Sequence, residues 1–262
     1  AHNQQLLLKE ECHFDKVIDP SAGSYYIEML TNSIGEEAWK LFLSVEDAGG
    51  FTQAAETASI QKAVNASNIK RHQSVATRRE IFLGTKQFPN FTEVAGDKIT
   101  LAQGEHDCNC VKSIEPLNFS RGASEFEALR LATEKSGKTP VVFMLTIGNL
   151  AMRLARSQFS SNFFGCAGYK LIDNLGFKSV EEGVDAALAA KADIVVLCSS
   201  DDEYAEYAPA AFDYLAGRAE FVVAGAPACM ADLEAKGIRN YVHVKSNVLE
   251  TLRAFNDKFG IR

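Results

Sequence analysis

From Gly137 to the end of the chain, short apolar runs alternate with amphipathic stretches, and this alternation constrains the fold more than any other feature of the sequence. Residues 140–145, 169–172, 194–198, 221–223 and 241–244 are rich in β-branched and aromatic side chains and read as strands. Helical spacing of apolar residues falls between and after them, at about 152–164, 180–190, 205–216, 230–236 and 249–259. Strands that are apolar throughout, each followed by a helix, build a parallel sheet covered on both faces. The expected architecture of 138–262 is therefore α/β, a flavodoxin-like, doubly wound, five-stranded parallel-sheet domain. Such a domain receives ligands beyond the carboxyl ends of its strands, where the strand order reverses.

The preceding residues follow a different pattern. An amphipathic opening, Leu6-Leu7-Leu8, has neither a cap nor a preceding strand. Short extended pieces are expected at 15–18 and 25–27, on either side of the Asp19-Pro20 turn. From about Thr31 the residues Ile34, Ala38, Leu41 and Val45 share one helical face, until Gly49-Gly50 stops the helix. Thr52 is placed to cap a second helix running to about Arg79, and 80–85 read as a buried strand closed by Pro89. A long irregular stretch, 90–122, with a strand at 98–101, reads as a wrapping connector that leads into a helix at 124–135. The organisation expected is 1–90, 91–137 as connector with helix, and 138–262. The first segment is not a complete domain and reads as the middle of a fold, its open face to be buried by missing sequence or by another chain.

The 262 residues are 47% hydrophobic and 23% charged, which excludes disorder. A net charge of −7 provides no cationic field for phosphates, so neither nucleic acid nor an anionic membrane is the expected partner. No apolar run reaches the roughly 18 residues of a membrane span, and no signal-peptide layout opens the chain, so a cytoplasmic protein is expected. The six cysteines are scattered and are expected to be reduced thiols.

The constellations with chemically capable side chains have bland readings beside them. Glu105-His106-Asp107-Cys108-Asn109-Cys110 packs metal-ligand types together but has no second cluster to complete a zinc site, and reads as a surface loop. Gly148-Asn149 follows the first strand of the sheet without any phosphate-cradling glycine motif, and reads as a tight turn. Arg153 and Arg156, one turn apart, are suited to an anion or to ion pairs. Ser199-Ser200-Asp201-Asp202-Glu203 follows the third strand and reads as the cap of the next helix. None of His2, His13, His72, His106 and His243 falls in a loop after a parallel strand, and His243 is expected within the last strand as a packed residue. No Ser or Cys sits in a nucleophile elbow. No catalytic residue and no metal site is therefore expected.

A family resemblance rests on longer wording. Asp19-Pro20-Ser21-Ala22-Gly23-Ser24-Tyr25-Tyr26-Ile27-Glu28, then Ala38-Trp39 and Gly49-Gly50, then Arg78-Arg79-Glu80-Ile81-Phe82-Leu83-Gly84-Thr85 and Gln87-Phe88-Pro89-Asn90, resemble in order the methylmalonyl-CoA mutases. The similarity is greatest to the small subunit of the two-chain bacterial enzymes. It implies that 1–90 are the final units of a truncated (β/α)8 barrel, with 82–85 as its last strand, and that 138–262 are a cobalamin-binding-type domain. Cobalamin-binding members carry D-x-H-x-x-G after the first strand of that domain, the histidine being the lower ligand of cobalt. Here Leu150, Met152 and Ala155 stand at the Asp, His and Gly positions. The resemblance thus implies a degenerate pocket, vestigial at Gly148, Asn149, Met152, Ser199, Ser200 and Gly225, with no cofactor bound by this chain. It implies a non-catalytic, stabilising small subunit in a heterodimer with a homologous large subunit, which would hold adenosylcobalamin and isomerise methylmalonyl-CoA and succinyl-CoA. Two rivals remain: a cobalamin-binding mutase chain that takes a direct part, and a scaffold that binds another small molecule in the degenerate pocket.

Overall fold

A computed structural model describes residues 2–96, 114–118 and 120–261. The expected strand at 98–101 and the Glu105–Cys110 cluster, with His106, lie outside the described residues. Two compact units are present, the first built around residues 2–64 and the second around 65–96 and 120–261.

The first unit is helical. Helix α1 (His2–Leu6) passes into a π-helical turn, Leu7–Glu11, followed by a 3-10 turn at Phe14–Lys16. Helix α2 spans Tyr25–Asp47 and α3 spans Gly50–Glu56, with α4 (Ser59–Ala76) starting next in the chain. The extended pieces expected at 15–18 and 25–27 are corrected: the former is a 3-10 turn ending in a loop and the latter is the first turn of α2. The single helix expected from 52 to 79 is two helices, broken where Ala58 adopts φ +58°. The strand expected at 80–85 is also absent. Those residues form a turn with one isolated bridge, Leu83 to Gln87, and Leu83 is 78% exposed. The physical reason is common to all three strands. A β-strand needs a neighbour for its backbone groups, and no described residue before Val141 supplies one. Residues 2–90 thus contain no β-strand in this structure.

The second unit holds the expected α/β sheet. Helix α5 (Ser124–Ser136) leads into β1 (Val141–Thr146), α6 (Leu150–Gly165), β2 (Lys170–Ile172), α7 (Val180–Ala189) and β3 (Ile194–Cys198). After these come α8 (Tyr204–Leu215), β4 (Glu220–Ala224), α9 (Met230–Ala235), β5 (Asn240–Val242) and α10 (Val248–Lys258). All strand pairs are parallel, in the order β2-β1-β3-β4-β5. Every residue of β3 is buried, as the unbroken apolar run Ile194–Cys198 requires.

Alternate strand residues feed two cores. Val142, Met144, Val196 and Val222 face α6 and α10, where Phe163, Phe164, Leu252 and Phe255 are buried. Phe143, Leu145, Val195 and Val223 face Val184, Ala187, Ala208 and Leu215 of α7 and α8. Gly183 lets α7 lie close on β1, since a Cβ there would meet Leu145 Cγ at 2.9 Å and Phe177 Cδ2 at 3.1 Å. Gly183→Val should consequently cost about 2 kcal/mol by overpacking, read as a lower urea midpoint. An unchanged midpoint would show that the helix can shift without strain. The expected placement of His243 inside the last strand is corrected: β5 ends at Val242, and His243 Nδ1 accepts the Lys245 N–H at 3.2 Å in the loop beyond.

Candidate functional site

Strand order reverses between β1 and β3, so the crevice at their carboxyl ends is where a doubly wound domain presents ligand loops. Five of the six candidate residues sit in loops at this edge, while Met152 lies in α6, as its helical spacing predicts. Gly148, at φ +76°, turns the chain out of β1, and Asn149 caps α6 by accepting the Met152 N–H at 3.1 Å. Met152 lies in the first turn of α6, 36% exposed, with Leu150 59% exposed beside it. Its thioether is thus a surface group and not the core filler that methionine usually is. Ser199 and Ser200 follow β3, and Gly225, at φ +156°, follows β4.

Glu203 brings most of these residues together. Its carboxylate accepts the Ser199 hydroxyl at 2.6 Å, the Ser200 hydroxyl at 2.7 Å, the Ser200 N–H at 3.2 Å and the Asn149 N–H at 3.1 Å. It also fills the space above Gly148, where a Cβ would overlap it. These hydrogen bonds, led by that of Ser199, hold its pKa down to about 2. Glu203 precedes α8 but makes no side-chain cap to that helix, which corrects the capping expectation for 199–203. The reason is local: the Glu203 carboxylate turns back to the Ser200 N–H, half of a capping box, and two hydroxyls and a second loop's N–H lie within its reach. The Ser200-x-x-Glu203 spacing was the available signal for this contact. Nothing in the sequence signalled the bond to Asn149.

Further contacts close the same edge. Arg156 Nη2 pairs with Asp201 Oδ1 at 2.9 Å, and Gly225 lies under this pair. Arg153 donates to the carbonyls of Leu175 at 2.9 Å and Gly148 at 3.3 Å. Of the two uses open to these arginines, Arg156 makes an ion pair within the chain and Arg153 binds carbonyls. Tyr204, fully buried and missed by the sequence reading, accepts the Ser199 N–H at 3.1 Å and donates to the Ala224 carbonyl at 2.5 Å. It thereby locks the ends of β3 and β4.

Linkage gives Glu203 a pH signature. Its folded pKa lies below the ordinary value of 4.5, so its contribution is fully present above pH 4.5 and is lost as pH falls towards 2. Glu203→Gln should therefore flatten the acid limb of stability against pH in that window. Superimposable acid limbs for the two proteins would show that the carboxylate is not held in this way.

The fold and this edge define a doubly wound α/β domain of the flavodoxin class whose ligand crevice is occupied by its own side chains. The chain belongs to the methylmalonyl-CoA mutase family, whose model matches residues 1–147. It is 99% identical over its whole length to the methylmalonyl-CoA mutase small subunit of Porphyromonas gingivalis, of which it covers 42%. It is 31% identical, over 99% of its length, to the probable small subunit of Mycobacterium tuberculosis, of which it covers 40%. A methylmalonyl-CoA mutase of Rhizobium meliloti is 38% identical over 48% of the chain and 18% of that protein. The chain thus spans about two fifths of the length of the curated small subunits it matches over its full length.

The corrin group held by the cobalamin-binding members of the family does not fit these residues. Leu150, Met152 and Ala155 are helical residues of α6, and none offers an imidazole or a carboxylate. The space beside Gly148 is filled by Glu203. Among the described residues no group of three or more His, Cys, Asp or Glu is placed to hold a metal ion, and no helix is long and apolar enough to cross a membrane.

Proposed function

We propose that the chain is part of a non-catalytic, stabilising small subunit of an adenosylcobalamin-dependent methylmalonyl-CoA mutase. In this reading it binds no cobalamin and pairs with a homologous large subunit. The large subunit carries the cofactor and interconverts methylmalonyl-CoA and succinyl-CoA. The observation that carries the reading is the crevice itself, with Glu203 seated in it and a thioether where an axial imidazole would be needed. Support for association comes from the first unit. Tyr25, Tyr26, Met29, Trp39 and Phe42 are exposed, and an apolar groove of about 700 Å³ is lined by Leu41, Val45, Phe51, Ile60 and Val64. Apolar surface on this scale calls for cover, by the rest of the small subunit or by a second chain.

Two measurements test the two halves of the proposal. Equilibrating the chain with hydroxocobalamin and desalting it should leave no visible corrin absorption, and a stoichiometric bound corrinoid would overturn the non-binding half. Co-expression of the small subunit containing this sequence with a large mutase chain bearing D-x-H-x-x-G should give a complex that survives gel filtration. Independent elution of the two would overturn the subunit half. Met152→His should also remain colourless, because the new imidazole would stand on a helix with no carboxylate at position 150 to orient it. Cobalamin retained by that variant would show the pocket to be one residue from function.

A further inference from the structure

Three side chains outside the crevice converge where α4 meets the start of α5. His72 Nδ1 lies 3.0 Å from Glu125 Oε2, and its Nε2 lies 2.9 Å from the Ser120 hydroxyl oxygen. The direction of both bonds follows from the groups at either end. Glu125, paired with Arg253 at 3.1 Å, is a carboxylate that can only accept, so Nδ1 carries the ring proton. Nε2 keeps its lone pair and accepts the Ser120 O–H. Asn68 Nδ2 donates to the same hydroxyl oxygen at 3.5 Å, which leaves the hydroxyl proton to point at the imidazole. Ser120 and Glu125 lie 48 and 53 residues from His72 in sequence, so no local motif reports the arrangement.

The serine is held in place from α4. Asn65, Asn68 and His72 share one face of that helix. Asn65 Oδ1 accepts the Asn118 N–H at 3.0 Å, and Asn68 donates to the Asn118 carbonyl at 3.1 Å. Asn118 Oδ1 in turn accepts the Ser120 N–H at 2.9 Å. The imidazole is shielded, with 15% of its side chain exposed, whereas Ser120 is partly exposed. Just beyond the serine, α5 begins without a side-chain cap, and the N–H groups of Gly122, Glu125 and Phe126 meet no acceptor among the described residues. Unpaired amides at a helix start are donors of the kind that stabilise a developing oxyanion.

The geometry points to a second chemical activity: Ser120, His72 and Glu125 form a nucleophile–base–orienter triad that hydrolyses a small activated acyl ester. His72 Nε2 takes the hydroxyl proton as Ser120 Oγ adds to the acyl carbonyl, and the free amides at the start of α5 stabilise the oxyanion. The bond to the leaving alcohol then breaks, and the alcohol departs with the proton held by His72. Water adds to the acyl-serine while giving a proton to Nε2. The carboxylic acid leaves as the serine oxygen recovers that proton, so no oxidant or cofactor is consumed. Glu125 is a positioning residue that holds the Nδ1–H tautomer. This activity uses no residue of the crevice and goes beyond the proposed function, since a chain inactive in the isomerisation can still carry it.

The test treats the small subunit containing this sequence with a fluorophosphonate and locates the modified residue by mass spectrometry. Label on Ser120 is expected, and a folded protein left unlabelled there overturns the proposal. p-Nitrophenyl butyrate should be hydrolysed above the buffer rate, with kcat lowered roughly a hundred-fold in Ser120→Ala. Equal turnover by Ser120→Ala and wild type overturns the proposal as well. Glu125→Gln should lower kcat and leave KM unchanged, whereas a carboxylate that only staples α5 to α4 would leave both unchanged in the folded variant. Should a variant fail to fold, the labelling of wild type decides alone.

Discussion

Replacing Lys86 by methionine is expected to destabilise the second unit by roughly 2–4 kcal/mol at neutral pH, because a buried and a partly buried carbonyl lose their donor. Lys86 is fully buried, and its ammonium donates to the carbonyls of Val75 and Glu80. It also lies 5.7 Å from the ring centroid of Phe82 and 5.8 Å from that of Phe126. These contacts tie the 80–88 turn to the end of α4 and the start of α5. Methionine has similar length and no charge to desolvate, so the measured loss is the donor contribution less the desolvation cost that the substitution relieves.

The pH dependence separates this account from simple repacking. Burial pushes the Lys86 pKa down to about 8, from 10.5. Folding therefore releases a proton between those values. Below pH 8 the folded protein bears the cost of a desolvated ammonium, and wild type gains stability as pH rises from about 8 towards 10.5. That gain, on the order of 2 kcal/mol by linkage, is absent in Lys86→Met. Denaturant midpoints of both proteins across this window should diverge with rising pH. Parallel curves would mean that Lys86 is solvated in the folded state.

The second large effect is expected at Phe164→Ala, at about 3–5 kcal/mol. Phe164 has no exposed surface, and its ring meets Phe163 at 5.4 Å, Phe255 edge-on at 5.6 Å and Tyr169 at 6.3 Å between centroids. This cluster fastens α6 to α10 and to the start of β2, where the Tyr169 hydroxyl donates to Asn256 Oδ1 at 2.6 Å. The cost comes from lost transfer energy together with a cavity that rigid neighbours cannot close. Phe164→Leu, which keeps most of the volume, should cost less than half as much. Equal urea midpoints for the alanine variant and wild type would contradict the packing described.

The site was less legible than the sheet. Gly148, Asn149, Ser199 and Ser200 could be placed at the ligand edge because their positions follow from counting residues past β1 and β3, whereas Gly225 was implied by the family resemblance. The role of Glu203 could not be placed in this way. Its contact with Asn149 joins residues 54 apart in sequence, and no local pattern reports which loop a carboxylate turns towards. Tyr204 was hidden for the same reason, since its hydroxyl bonds to the ends of two strands that only the fold brings together.

Within the first 90 residues, short apolar pieces with strand-like composition are helix or turn. Tyr25-Tyr26-Ile27 has strand-forming side chains, yet it opens a 23-residue helix. A helix pairs its backbone groups within itself, whereas a strand depends on neighbours elsewhere in the chain. Residue order alone dictated the five parallel strands, their helices and the absence of an imidazole at position 152, because periodicity and side-chain chemistry are local properties. Tertiary packing alone decided that the crevice is filled by Glu203 and that 80–85 is a turn, because both depend on which distant groups reach the same point in space.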